Sequence, residues 1–299
     1  MALLVDTPRW PAHGTLYGHL VSDSSLWELH AGARRAGLDP RAFDHDHYDM
    51  RQESLPHALE AGAELVDERE LVTRLRAGGL RIAPADHAPR RGRARELLRQ
   101  SFTGLLPAEV VERIIQRHGG PTRHYHDVRH LAEMLRQQRR LAALQGTVTT
   151  PAEELATLFH DAVYQGVDGQ DERDSAALAV DELTAAGHPA ALVAEVERLV
   201  LLTIGHDADP DDEVGARTCD ADMAILASAP GRYHVSVRDI RLEYGALDQA
   251  QWRTGRRAVL QHFLANDALF RSRQGRGLWL ERARTNIADE LAHLDDPLG

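Results

Sequence analysis

The sequence predicts a small α/β unit followed by a larger all-α domain, and three observations carry that division. Strand-like and helix-like stretches alternate over the first eighty or so residues. Residues 84–92, with Pro84, Pro89, Arg90, Arg91 and Gly92, keep neither period. From Arg93 onward one helical pattern follows another. The expected boundaries are therefore 1–83 for the first unit, 84–92 for a linker and 93–299 for the helical domain.

Residues 2–6 form a short apolar run ending in an acid, as a buried strand does. A Gly/Pro/His-rich stretch follows (Pro8, Pro11, His13, Gly14, Gly18, His19) and reads as a loop. Ser25 with Glu28 predicts a capping box, opening a helix whose apolar face carries Leu26, Leu29 and Ala33 and which stops at Gly37. Residues 41–44 and 65–66 are short strand candidates, and 68–77 reads as a helix closed by Gly78 and Gly79. Beyond the linker, helices are expected over 107–118, 127–144, 151–163, 171–186, 189–204, 212–229, 235–247, 249–265 and 278–294, with no strand and no internal repeat.

Composition narrows the function. Against 46 acidic residues stand 35 basic ones, a net charge of −11, which argues against a general nucleic-acid or membrane-surface binder. The sequence holds no lysine, so Schiff-base chemistry and a phosphate-binding P-loop lysine are both excluded. Cys219 is the single cysteine, which removes internal disulfides and thiolate-rich metal sites. Residues 1–10 lack a basic segment followed by a long apolar run, and no apolar stretch has the length of a bilayer span, so a cytoplasmic protein is expected.

The 17 histidines raise the question of where they gather. His126 and His130 lie one helical turn apart. His160-Asp161 interrupts an otherwise apolar helical stretch, and Asp220-Ala221-Asp222 precedes another. Carboxylates buried among Leu, Phe, Ile and Val demand a cation, and without lysine that cation is arginine or a metal. Two imidazoles with two carboxylates and no thiolate suit Mn²⁺, Fe²⁺, Ni²⁺, Mg²⁺ or Zn²⁺. Arg123 and Arg129 flank the histidines and are expected to bind phosphate oxygens. Glu172 and His206 are candidates for a second ion bridged by Asp161, and Asp220 for a supporting acid.

The order His…His-Asp…Asp, within HYHDVRHL, LFHDAVYQ, LTIGH and CDADMAIL, resembles the HD superfamily of metal-dependent phosphohydrolases over most of 93–295. The resemblance implies an all-α HD-type domain that hydrolyses a phosphate ester, a nucleotide or other small phosphorylated metabolite, with a metal-activated water and one or two divalent ions. It implies His130, His160, Asp161 and Asp222 as ligands, with Asp161 also at the reacting centre and His126 as the proton donor. Related cyclic-nucleotide phosphodiesterases carry Asn where Asp127 stands; this acid either raises the basicity of His126 or caps the helix. Two other readings attach to the scaffold: a di-iron oxygenase, which needs a further ligand such as His206, and a non-catalytic nucleotide sensor. Glu243, Arg241 and Tyr244 are expected to be structural, as are Arg256 and Arg257.

In the first unit, VDTPRWPAHG, HLVSDSSLWELH and FDHDHYD resemble a small bacterial domain of unknown function. There His13, His19, Asp44, Asp46 and His47 are expected to form a second polar site, with no chemistry implied.

Overall fold

A computed structural model describes residues 2–167, 169–209 and 211–295. The first unit is a mixed sheet of β1 (Leu3–Val5), β2 (Trp10–Ala12), β3 (Thr15–Ser22), β4 (Phe43–Asp44), β5 (His47–Arg51) and β6 (Glu64–Leu65). Its strand order is β4-β5-β3-β1-β6, with β2 paired to β3 and with β1 and β6 parallel. Three helices pack on it: α1 (Leu26–Arg35), α2 (Leu55–Glu60) and α3 (Glu68–Ala77). Alternation along the strands supplies two apolar faces. Leu3, Val5, Leu20, Tyr48 and Met50 bury against Leu26, Leu29 and Ala33 of α1, whereas Leu4 and Val21 bury against Leu71 and Leu75 of α3.

Two expectations change here. The stretch read as a loop covers β2 and the first part of the longest strand, β3, at the centre of the sheet. Gly18 and His19 hid it, yet Gly18 is required there: a Cβ would lie 2.7 Å from Asp6 Oδ1 and 3.0 Å from Asp6 O. Ser25 caps α1 through the N–H groups of Trp27 and Glu28, but Glu28 does not close a capping box. Its carboxylate instead accepts from the Ser22 and Ser24 hydroxyls.

The helical part runs through α4 (Arg91–Ser101), α5 (Ala108–Arg117), α6 (Val128–Leu144), α7 (Pro151–Phe159) and α8 (Gln170–Ala185). It continues with α9 (Ala190–Leu202), α10 (Glu213–Met223), α11 (Pro230–Glu243), α12 (Gln249–Ala265) and α13 (Arg273–His293). The expected linker holds a short 3₁₀ turn at Pro84–Asp86 and then the start of α4. One core joins α4 to α9 around Leu98, Ile114, Leu131, Leu155, Phe159 and Leu199. A second gathers α11, α12 and α13 around Tyr233, Leu260, Phe270 and Ile287. No helix among the described residues is long and apolar enough to cross a membrane.

Helix ends differ from expectation where side chains intervene. α7 stops at Phe159 rather than at 163: the Ala162 N–H bonds back only to Phe159 O, and the Val163 N–H donates to Ser175 Oγ at 3.0 Å instead of to the helix. α11 starts at Pro230, five residues before the expected 235, its Pro sitting in the first turn where a missing N–H costs nothing.

The two units meet along α11. Val235 joins the apolar core of the sheet unit, and Arg238 donates to the Phe43 carbonyl at 2.6 Å. His30 stacks on His234 with ring centroids 5.2 Å apart. Trp27 Nε1 donates to Asp289 at 2.6 Å.

Candidate metal centre

Three helix ends bring His130, His160, Asp161 and Asp222 together. Asp127 caps α6 by accepting the Arg129 N–H at 2.8 Å, which places His130 in the first turn. His160 closes α7, and Asp161 follows on the turn that Arg123 holds. Asp222 lies in the last turn of α10.

The ligand atoms converge. His130 Nε2 lies 3.1 Å from His160 Nε2 and 3.0 Å from Asp222 Oδ1. His160 Nε2 is 3.1 Å from Asp161 Oδ2, which is 3.9 Å from His130 Nε2. His160 Nδ1 donates to the Thr157 carbonyl at 2.9 Å, so its Nε2 turns inward. The imidazoles are almost fully buried, at 4% and 2% side-chain exposure for His130 and His160. Two imidazole nitrogens at this separation share either a proton or a cation, and the two carboxylates beside them favour positive charge there. His130, His160 and Asp222 bring one ligand atom each within 4.8 Å of the others, a set that could hold a divalent ion, with Asp161 beside His160.

Electrostatics point the same way. Burial opposes charge on His160, but Asp161 and Asp222 outweigh it and raise its pKa to about 9. Burial alone would raise Asp161 and Asp222, yet the surrounding imidazoles hold both well below the usual carboxylate range.

His126 stands just before α6, with its ring centroid 5.8 Å from that of His130. Its Nδ1 donates to Glu243 Oε2 at 2.6 Å. Glu243 Oε1 meanwhile accepts the backbone N–H groups of His124, Tyr125 and His126 at 2.8–2.9 Å. Burial lowers the His126 pKa, but the Glu243 hydrogen bond and the Asp161 charge outweigh it and raise it overall. Glu243 thus does for His126 what Asp127 was one candidate to do, and Asp127 is the cap. Glu243, read as structural, lies 117 residues from His126, and nothing local signals the pairing.

The remaining expected residues divide. His206 reaches the centre: its Nε2 donates to Asp222 Oδ2 at 2.8 Å, from a left-handed backbone conformation (φ 50°) that histidine adopts more readily than most non-glycine residues. Asp220 points elsewhere, accepting from the Ser272 hydroxyl and from the N–H groups of Arg271 and Ser272 at the start of α13. Glu172 sits half-buried in the first turn of α8, where acids favour the helix dipole. Arg123 and Arg129, the candidates for phosphate oxygens, are engaged in hydrogen bonds within the protein. Arg123 donates to the carbonyls of His126, Asp161 and Ala162 and lies over the Tyr164 ring. Arg129 donates to Asp127, Asp239 and the His124 carbonyl. Both guanidiniums hold the ligand-bearing turns in place.

Two cavities reach the cluster. One, of about 360 Å³, is lined by His126, His206 and Asp222 and by apolar Met223, Ile225, Leu226, Ile240 and Phe263. The other, of about 230 Å³, touches His130 and Asp222 and carries Arg136, Arg140, Arg232 and Arg282. Cys219 is buried, and burial pushes its thiol pKa well up, which suits a core residue.

Residues 3–78 match a family described as protein of unknown function, DUF4031, and this is the sheet-bearing unit. No curated protein and no solved structure matches the chain.

Proposed function

We propose that the helical part is an HD-type phosphohydrolase that cleaves a phosphate ester of a small metabolite, using a divalent ion held by His130, His160, Asp161 and Asp222. The observation that carries the reading is the convergence of two buried imidazoles and two carboxylates beside a histidine primed as an acid. When bound, the ion supplies Lewis acidity, acidifying water and polarising a phosphoryl oxygen.

The chain's own residues do the rest. Glu243 holds the His126 ring through Nδ1 and favours its protonated form, leaving Nε2 to deliver a proton to the departing oxygen. The bond from phosphorus to that oxygen breaks, a bond from phosphorus to the water oxygen forms, and an alcohol and a phosphate leave. Arg123 and Arg129 fix the turns on which His126 and Asp161 stand, so their contribution is positional. The larger cavity beside His126 and His206 is mostly apolar and accommodates the organic part of the ester; the arginines of the smaller one favour its anionic part.

A panel of phosphorylated metabolites, assayed for phosphate release with chelated and Mn²⁺-reloaded protein, tests the proposal. Release should require the ion and disappear in His160→Ala. Release at the wild-type rate in that variant overturns the proposal. Oxygen consumption with bound iron would favour a di-iron oxygenase, and tight nucleotide binding without product a sensor.

A further inference from the structure

The sheet unit carries a second constellation that the phosphohydrolase reading does not use. His19 on β3 is the direct cross-strand partner of Asp49 on β5, so the two side chains share a face. His47, two residues before Asp49, shares it too, opposite the core residues Leu20 and Tyr48. One ligand atom from each of His19, His47 and Asp49 lies within 4.8 Å of the others.

What separates this cluster from an ordinary polar surface is the support behind each ring. His19 Nδ1 donates to Asp6 Oδ2 at 2.9 Å, and Asp6 also accepts the His19 N–H at 2.6 Å. His47 Nδ1 donates to Asp46 Oδ1 at 2.8 Å. Asp6 is 3% exposed and Asp46 not at all, so both carboxylates sit behind the rings, and Asp46 is itself fixed by Arg81 and the Ile82 N–H. With each Nδ1 held by a carboxylate, the two Nε2 atoms are the ring nitrogens left to face the cluster. That of His47 lies 3.5 Å from Asp49 Oδ1. Carboxylate-oriented imidazoles of this kind are the usual support of metal-binding histidines. The neighbouring cluster of Asp44, His45 and His87 lacks this freedom, because His45 Nε2 accepts the Ala88 N–H at 3.0 Å.

We propose that His19, His47 and Asp49 hold a divalent transition-metal ion on the sheet unit. Two imidazole nitrogens and one carboxylate oxygen suit Zn²⁺, Fe²⁺, Mn²⁺ or Co²⁺ and leave coordination positions open. Those positions face a cavity lined by His13, Tyr17, Arg41 and Arg51 as well as by His19 and Asp49. The two arginines make it suited to an anionic ligand, a carboxylate or a phosphate, that completes the ion's coordination. Gly18 belongs to the same device, since any larger residue would push against the Asp6 carboxylate that orients His19. The inference is independent of the function proposed for the helical part.

Co²⁺ titration of the metal-free full-length protein, followed by calorimetry and visible absorbance, tests it. His160→Ala should still bind one equivalent, and adding His47→Gln should remove that equivalent. Asp49→Asn alters an exposed side chain, so it should weaken this ion at least tenfold with an unchanged thermal midpoint. Asp6→Asn, acting only through His19, should weaken it about 10–100-fold. If His47→Gln leaves the stoichiometry unchanged in both the wild-type and the His160→Ala backgrounds, the sheet site is overturned. Failure of the helical centre reads differently: His160→Ala would then bind as much Co²⁺ as wild type.

Discussion

The two histidine–aspartate clusters are built by opposite means. The helical cluster draws its groups from the ends of three helices and buries its imidazoles at 4% and 2% exposure. The sheet cluster comes from two neighbouring strands, with His19, His47 and Asp49 exposed to 30%, 18% and 52%. The difference teaches where a cation is a structural necessity. Water can offset the charge of Asp49, whereas Asp161 and Asp222 depend on what the protein places beside them. Support differs accordingly. A backbone carbonyl orients His160, while buried carboxylates orient His19 and His47.

If the helical centre alone carries turnover, its proton donor is where the largest loss should appear. His126→Ala should lower kcat/KM for phosphate release by about 10²- to 10⁴-fold, with Mn²⁺ affinity little changed. An effect below threefold would remove His126 from the reaction. The helical part also rests on an ion pair buried on both sides, Arg217 with Glu153 at 2.7 Å, whereas the Arg81 that pairs with Asp46 behind the sheet cluster is exposed. Arg217→Met strands the Glu153 charge and should cost about 3–5 kcal/mol in a denaturant-unfolding measurement.

Glu243 sharpens the comparison through pH. A general acid works while protonated, so kcat/KM falls as pH rises through the His126 pKa, which the Glu243 hydrogen bond raises above its ordinary 6.5. Glu243→Gln should therefore move the basic limb of the profile to lower pH. A limb that stays put or moves up would contradict the pairing. The smallest expected effect is on the other side of the molecule: Asp6→Asn should change phosphate release by less than about twofold, since its hydrogen bonds end at His19. A large loss would tie the sheet cluster to the helical chemistry.

Periodicity and caps made much of the helical part legible. Residues 249–265 and 68–77 match helices α12 and α3 to the residue, and the Asp127 cap was readable as one of two alternatives. Strand β3 was not, because its sequence mixes Gly18 and His19 with apolar residues and its stability comes from partners on both sides. The end of α7 was hidden for a related reason: Ser175, on the next helix, takes the Val163 N–H that would have continued it. At the candidate site, residue types and order pointed to His130, His160, Asp161 and Asp222, which meet, and to Asp220, which does not. Sequence carried no sign of side-chain direction, so Arg123 and Arg129 were read as candidates for phosphate oxygens and Glu243 as structural.

The most direct test is to titrate Mn²⁺ into chelated protein, measuring occupancy by electron paramagnetic resonance and phosphate release on the same samples, with Asp222→Asn alongside. Turnover that rises in proportion to occupancy in the wild type, and is lost in Asp222→Asn, is the predicted result. Phosphate release at full rate after chelation, or in the variant, would contradict a catalytic ion held by these helices.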